Sequence, residues 1–182
     1  MNRETKIIVF GTCFGIIFFI AGTLLVLFLC GTSNLEVKIT KASLTQFNLN
    51  NEKDTLNYNL ALDVAIGNTK HVHYRSIEVV AKYENESFAF VNSPPYTQRD
   101  KKTTIMNLIF QGPHEVWFSE SDLSHFKLET DAGVYSIDVV VTLRIRGHIH
   151  VYKREWICRL KLPLSSNQES PSPNFEATKC FV

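Results

Sequence analysis

The residues of this sequence that best fit a chemical site are two pairs of histidines, His71 with His73 and His148 with His150. Residues two apart on a strand point to the same side, so each pair can present two imidazoles to one metal ion. Both pairs lie beside turns, and no cysteine or acidic residue is spaced to complete a metal site. We therefore predict surface histidines that gain charge in an acidic exterior, with no metal and no cofactor.

The sequence motifs of the common catalytic sites are absent. The chain contains no Gly-x-Ser-x-Gly, no His-Glu-x-x-His and no Gly-x-Gly-x-x-Gly. Cys158 alternates in step with Trp156, Leu160 and Leu162, so we expect its thiol to face a core and not a substrate. The sequence thus predicts no catalytic residues, and the protein is not expected to be an enzyme.

Cys158 and Cys180 are the two cysteines outside the long apolar segment of the chain. A disulfide between them would close a loop of about 20 residues and stabilise the fold by roughly 3 kcal/mol in the chain-entropy treatment. Such a bond requires an oxidising exterior, and the alternative is one buried and one exposed thiol. Asn85, in Asn-Glu-Ser, is a candidate glycosylation site that belongs to the same compartment.

The charges are nearly balanced, with 19 Lys and Arg against 18 Asp and Glu. This balance argues against a nucleic-acid partner, which would favour a clearly basic chain. Four cations nevertheless fall on the polar faces of the last two predicted strands, and these are Arg144, Arg146, Arg159 and Lys161. If the two strands are neighbours, they form a basic stripe suited to anionic lipid headgroups or acidic polysaccharide, and the alternative is an ordinary solvated face.

Residues 7–30 form an uncharged segment of 24 residues. A helix needs roughly 20 apolar residues to cross a bilayer, so this segment is predicted to be a transmembrane helix. It is longer than the apolar part of a signal peptide, and no small-residue cleavage site follows it. Arg3 and Lys6 precede it and favour a cytoplasmic N-terminus, with the rest of the chain outside the cell. Gly11 and Gly15 fit the small-xxx-small pattern of associating helices, which makes a homodimer a hypothesis.

These boundaries divide the chain into four parts. Residues 1–6 are predicted to be a cytoplasmic tail, 7–30 the transmembrane helix, 31–164 a folded domain, and 165–182 a Ser-, Pro- and Asn-rich tail that a disulfide would tether. About 150 residues beyond the membrane segment are enough for one domain with its own core.

Alternating apolar residues predict most of the domain to be strand. The pattern is clearest over residues 56–66 and 135–145, and it recurs at 35–39, 77–83, 87–91, 104–110 and 156–162. Residues 46–54 are predicted to be loop, and Gln-Gly-Pro at 111–113 is predicted to stop a strand. One helix is expected, capped by Ser119 or Ser121, ended by Gly133, and packed through Leu123 and Phe126. The prediction is a mainly β, antiparallel β-sandwich of about seven strands and one helix behind a single N-terminal transmembrane helix.

In this order along the chain, several short segments resemble the late-embryogenesis-abundant type 2 domain of the plant non-race-specific-disease-resistance/harpin-induced-like family. They are residues 67–70 (Gly-Asn-Thr-Lys), 73–78 (His-Tyr-Arg-Ser-Ile-Glu), 94–98 (Pro-Pro-Tyr-Thr-Gln), 102–104 (Lys-Thr-Thr), 133–138 (Gly-Val-Tyr-Ser-Ile-Asp), Cys158, 163–164 (Pro-Leu) and 178–180 (Thr-Lys-Cys).

The resemblance implies two antiparallel sheets with one helix, a plasma-membrane location, a role in plant defence or stress, and no catalytic residues. The predicted function is adhesion or scaffolding at the membrane, through contact with cell-wall polysaccharide or a membrane protein. The alternative is a lipid-binding module that holds or shields an acyl chain between the sheets.

Overall fold

The computed structural model describes residues 15–16, 18–24, 35–50, 54–147, 150–165 and 175–182. The chain forms two units, residues 1–33 and 34–182. In the first unit, residues 15–16 and 18–24 are helical. A helix of the length and hydropathy needed to cross a bilayer is not found among the described residues. The predicted cytoplasmic tail, residues 1–6, and most of the predicted transmembrane helix, residues 7–30, lie outside the described residues.

The second unit is mainly β, and its described residues form nine strands and one helix. The elements are β1 (Glu36–Asn50), β2 (Thr55–Gly67), β3 (Val72–Tyr83), β4 (Glu86–Ser93), β5 (Tyr96–Gln98), β6 (Thr103–Glu115), α1 (Glu120–Ala132), β7 (Val134–Arg146), β8 (Val151–Pro163) and β9 (Thr178–Lys179). All the strands pair antiparallel, in one sheet of order β6-β2-β1-β9 and a second of order β4-β3-β7-β8 with β5 beside β3.

The two sheets bury their apolar faces in one shared core, as the sandwich prediction requires. In β2, each of the six alternating apolar residues from Leu56 to Ile66 is buried. In β7, the same holds from Tyr135 to Leu143. Period-two alternation places these side chains on one face of each sheet, and burying them away from water supplies the main stabilisation of the fold.

Phe47 is the centre of the packing between the sheets. Its ring centroid lies 4.8 Å from that of Tyr135, 5.4 Å from Tyr83, 5.5 Å from Phe88 and 5.8 Å from Phe126. Most of these contacts are edge-on or tilted, which is the geometry that aromatic rings prefer. Phe47 belongs to the stretch predicted to be loop, and that prediction is wrong, because β1 continues to Asn50.

Two irregularities in β1 explain the error. The pairing with β2 shifts between Ile39 and Lys41 and again between Leu44 and Gln46. Each β-bulge inserts an extra residue and moves the buried face by one position. The apolar residues therefore no longer alternate along one continuous register, although the strand itself does not end.

The predicted end of β6 at residues 111–113 is also wrong. The strand runs through Pro113 to Glu115, and Pro113 lies opposite Asn57 of β2. Because β6 is the outer strand of its sheet, a proline there costs no hydrogen bond to a second neighbour.

The predicted helix is confirmed, together with both of its ends. Ser119 is the N-cap and exchanges hydrogen bonds with Asp122, while Gly133 ends the helix in the left-handed region at φ 67°. These contacts satisfy backbone groups that a helix leaves without partners. Phe126 packs into the core as predicted, but Leu123 is 42% exposed and does not.

Candidate functional site: a basic pocket

An open pocket of about 590 Å³ lies in the second unit, beside the start of β3, β5 and the β7–β8 turn. Its lining residues are His73, Tyr74, Arg75, Pro95, Tyr96, Thr97, Arg146, Gly147, His150 and Val151. The sheet pairing explains why these distant segments meet, since Tyr74 lies opposite both Tyr96 of β5 and Ile145 of β7. Its volume falls in the range usual for small-molecule sites.

The pocket is lined by cationic and aromatic side chains. Arg75, Arg146, His73 and His150 line it, and its lining includes no Asp or Glu. Within the described part of the chain, the guanidinium groups of Arg75 and Arg146 form no hydrogen bond or ion pair. A guanidinium presents a planar set of donors that matches a carboxylate or phosphate, so the arrangement suits an oxyanion.

Gln98 holds β5 against the rest of the domain. It is 1% exposed, and its Nε2 donates to the carbonyl oxygens of Ile66 and Lys102, each at 2.8 Å. Its Oε1 accepts a hydrogen bond of 2.8 Å from the hydroxyl of Tyr74. Burial raises the pKa of Tyr74 to about 12, so this hydroxyl remains a donor at physiological pH.

Tyr96 forms the aromatic wall of the pocket. Its ring stacks with that of Tyr74 at a centroid distance of 6.5 Å and an interplanar angle of 8°. Its hydroxyl lies 3.3 Å from Oγ1 of Thr104. Tyr96 is 43% exposed, so part of its ring remains open to a ligand.

Gly147 closes the turn between β7 and β8 on the other side of the pocket. Its backbone N–H donates to the carbonyl of His150 at 2.9 Å. A Cβ atom at this position would lie 2.7 Å from Cζ and the hydroxyl oxygen of Tyr152. Glycine therefore allows the ring of Tyr152 to lie across the turn.

The structure brings together one histidine from each predicted pair, since His73 and His150 line the same pocket. His148 lies outside the described residues. The rings of His71 and His73 are 4.7 Å apart, and Nδ1 of His71 is 3.9 Å from a carboxylate oxygen of Asp100. His73 Nδ1 is 2.8 Å from Thr97 Oγ1. In the part of the chain that the structure describes, no three His, Cys, Asp or Glu residues form a metal-binding group.

The four residues of the proposed basic stripe fall into two separate pairs. Strands β7 and β8 are neighbours, but Arg159 and Lys161 lie opposite Asp138 and Ser136, whereas Arg144 and Arg146 lie near the β7–β8 turn. Arg146 is eight residues along β7 from Asp138, or roughly 26 Å at about 3.3 Å per residue. Of the four residues, only Arg146 lines the pocket.

Charge is unevenly distributed along the second unit. We define the basic end as residues 35–38, 67–75, 96–103, 144–147 and 150–154, where two acidic residues, Glu36 and Asp100, accompany Lys38, Lys70, Arg75, Arg99, Lys101, Lys102, Arg144, Arg146, Lys153 and Arg154. We define the acidic end as residues 83–87 and 115–132, which carry Lys127 with Glu84, Glu86, Glu115, Glu120, Asp122, Glu129 and Asp131. Arg159 and Lys161 of β8 also lie towards the acidic end, and the pocket lies at the basic end.

The disulfide prediction is confirmed. Cys158 and Cys180 are bonded with an S–S distance of 2.02 Å, and both residues are buried. The backbone N–H of Cys180 also donates to the carbonyl of Val37 at 3.0 Å. The bond therefore joins the end of the chain to β8, while the hydrogen bond joins it to β1.

The other predicted sites have different placements. Asn85 is exposed in the turn between β3 and β4, at the acidic end. Gly15 lies in a helical segment, and a Cβ atom on it would meet nothing within 4 Å. Gly11 lies outside the described residues.

Sequence reasoning missed Arg75, Tyr96 and Gln98 as site residues. Arg75 follows the first histidine pair by two positions, and Tyr96 directly follows two prolines. The three-residue strand β5 is too short to show a periodic pattern. Only the pairing of β5 with β3 shows that these residues share a site with Arg146.

The fold defines a mainly β domain of antiparallel sheets, and a curated relative has a sequence similar to this chain. NDR1/HIN1-like protein 10 of Arabidopsis thaliana is 33% identical over 156 residues, which cover 80% of this chain and 69% of that protein. The chain therefore belongs to the NDR1/HIN1-like family, and the predicted family is confirmed. No protein-family model matches the chain.

Two solved structures are similar at low levels. A protein from Archaeoglobus fulgidus has a TM-score of 0.39 and 8% identity, covering 70% of this chain and 98% of its own. The solution structure of AT1g01470 from Arabidopsis thaliana has a TM-score of 0.42 and 17% identity, covering 74% of this chain and 85% of its own.

Proposed function

We propose that this chain is a single-pass plasma-membrane protein of plant defence or stress response, acting by adhesion or scaffolding and not by catalysis. Its sandwich, outside the cell, contacts anionic wall material or a membrane protein through the basic end, and residues 7–30 hold that contact at the bilayer. The observation that carries the proposal is the pocket at the basic end, where two arginines have no charged partner among the described residues.

Three observations support an extracellular location. The disulfide between Cys158 and Cys180 is typical of an oxidising compartment. Asn85 is exposed in a turn, as a glycosylation site requires. Arg3 and Lys6 flank the proposed anchor on its short N-terminal side, which favours a cytoplasmic N-terminus.

The chemistry of the pocket favours binding over catalysis. Its polar side chains are two arginines, two histidines, two tyrosines and a threonine, and its lining contains no carboxylate and no thiol. Among the described residues, His73 and Thr97 are the two lining residues whose side chains are hydrogen-bonded to each other. Such a lining can hold and orient an anion without a chemical step.

The alternative of an acyl chain held between the sheets gains no support from the packing. The residues at the centre of the core, including Leu60, Val64, Val79 and Val139, are 0% exposed, and aromatic rings surround Phe47. Native mass spectrometry of the delipidated chain tests this alternative, since an acyl adduct that persists would favour it.

Vesicles carrying the full chain test the proposed function. We expect them to retain wall particles at low salt and to lose them as salt screens the attraction. Combined Arg75→Gln and Arg146→Gln changes should reduce retention, while Arg159→Gln with Lys161→Gln, which removes the same charge elsewhere, should not. Equal retention by chain-free vesicles would contradict the proposal.

Impermeant labelling of intact plant cells tests the proposed topology. A sandwich that the label cannot reach from outside the cell would overturn the extracellular location.

A further inference from the structure

We propose that the basic pocket recognises the carboxylate of a uronic-acid residue in an acidic polysaccharide. This rests on the proposed function and names the ligand class of its contact surface. Arg75 and Arg146 would hold the carboxylate, His73 and His150 would add hydrogen bonds, and Tyr96 would contact the sugar ring.

The strand pairing brings lining residues of the pocket together on one face. Tyr74 lies opposite Ile145, and extending that antiparallel register by one residue sets His73 level with Arg146. His73 lies opposite Thr97 on its other side, and Arg146 lies opposite Val151. All four side chains are exposed, so they form a row across four strands, β5, β3, β7 and β8. Arg75 lies at the irregularity in the β3–β7 pairing between Tyr74 and Ser76, is also exposed, and lines the same pocket.

Within the described residues, the absence of an ion pair distinguishes Arg75 and Arg146 from two other cations near the β7–β8 turn. Arg144 is bound to Glu78 at 3.0 Å, and Lys153 is bound to Glu155 at 2.7 Å. Arg75 and Arg146 have no comparable partner in the described part of the chain. They lie at an open surface, where water can leave for an incoming carboxylate that accepts two parallel hydrogen bonds from one guanidinium.

The aromatic wall favours a sugar acid over a small inorganic anion. The C–H groups on one face of a pyranose ring are apolar and pack against an aromatic face. Tyr96 and the adjacent Pro95 supply such a wall beside the cations. A pocket of about 590 Å³ is also larger than a lone oxyanion needs.

The proposed compartment favours a polysaccharide over a membrane lipid. Anionic lipids concentrate in the cytoplasmic leaflet, whereas a disulfide belongs to an oxidising exterior. Outside the cell, an acidic sugar polymer is therefore the better match for this set of cations. A lipid headgroup becomes one outcome of the test.

The test uses the full chain in detergent with its disulfide intact. The probe is a hexamer of galacturonic acid, compared with its methyl ester and with a neutral glucose hexamer. We expect the acid alone to bind, and Arg75→Gln or Arg146→Gln to weaken it by roughly tenfold. Arg146→Lys keeps the charge but loses the planar donor pair, so its affinity for the acid hexamer should lie between those of the wild type and Arg146→Gln. Arg159→Gln with Lys161→Gln is the matched control and should bind as the wild type does.

Three results would overturn the proposal. They are no binding of the acid hexamer, equal weakening by the control pair, and binding to phosphatidylserine vesicles with the same arginine dependence but not to the acid. The wall-retention assay separates this proposal from the proposed function. Retention without uronate binding would mean that another wall component or a protein is the partner, whereas loss of both would overturn both.

Discussion

At the residue scale, Gln98 matters because it joins three parts of the domain. Its side chain bonds to the carbonyls of Ile66 and Lys102 and to the hydroxyl of Tyr74, all within the basic end or beside it. A glutamine that is 1% exposed is tolerated only because its amide is satisfied. The wall of the pocket therefore depends on a residue that does not line it.

We expect Gln98→Leu to lower the free energy of unfolding by about 2 kcal/mol, since it leaves buried polar groups without partners. Fluorescence of the buried Trp156 during urea unfolding of the full chain gives the measurement. Gln111→Leu, on the exposed side of β6, is the matched control and should change stability by less than about 0.5 kcal/mol. An equal loss in both variants would contradict this role for Gln98.

Tyr74 predicts a dependence of stability on alkaline pH. Burial raises its pKa to about 12, so between the ordinary tyrosine pKa near 10 and that value the unfolded chain loses a proton that the folded chain keeps. The stability that this residue contributes is thus present below pH 10 and is lost as pH rises towards 12.

We expect unfolding at a series of alkaline pH values to show a shallower decline for Tyr74→Phe than for the wild type. Tyr152→Phe, which removes an exposed hydroxyl, serves as the control and should keep the wild-type slope. An unchanged slope in Tyr74→Phe would argue against this assignment.

At the element scale, the regular strands and the helix could be predicted from sequence, but their irregularities could not. β2 and β7 keep one alternating face throughout, so periodicity alone identifies them. β1 changes register twice at bulges, and its last third therefore looks like polar loop. Bulges depend on the pairing of two distant strands, which a single local pattern does not contain.

The same limit applies to the site. The spacing within each histidine pair is local and is visible in the sequence, yet the pocket combines one histidine from each pair with arginines from two strands. The predicted basic stripe placed β7 and β8 beside each other, which is correct, but the sequence does not give the register of their pairing. That register puts Arg144 and Arg146 at one end of the β7–β8 hairpin and Arg159 and Lys161 at the other. Residue types could be predicted here, but their association required the pairing of β3, β5 and β7.

The N-terminal cap of α1 gives a prediction for a single element. Ser119→Ala should lower the free energy of unfolding by about 1 kcal/mol, because it removes a side-chain acceptor from the first turn. Urea unfolding followed by Trp156 fluorescence measures the change. Ser124→Ala is a suitable control: its hydroxyl donates to the Glu120 carbonyl within the helix, and alanine is the better helix former. Greater destabilisation by Ser124→Ala would contradict the assigned cap.

At the scale of the whole molecule, the disulfide fixes the last described segment against both sheets. Cys158→Ala with Cys180→Ala opens a loop with a sequence separation of 22 and should cost about 3 kcal/mol of unfolding free energy. The urea midpoint of the oxidised chain should fall accordingly, and reductant should reproduce the loss in the wild type. Cys13→Ala with Cys30→Ala, in the other unit, should leave the unfolding of the sandwich unchanged. A sandwich indifferent to both treatments would contradict a structural role for the bond.

The place where β1 begins has a mechanical consequence. Glu36 lies opposite Gly67 at the basic end, so the chain enters the sandwich at the same end as the pocket. A pull between a ligand in the pocket and residue 35 would therefore act across this end of the sandwich and not along the length of β1. That direction loads the hydrogen bonds between β1 and β2 one at a time, beginning at Glu36. The acidic end, with Asn85 and α1, would carry little of the tension.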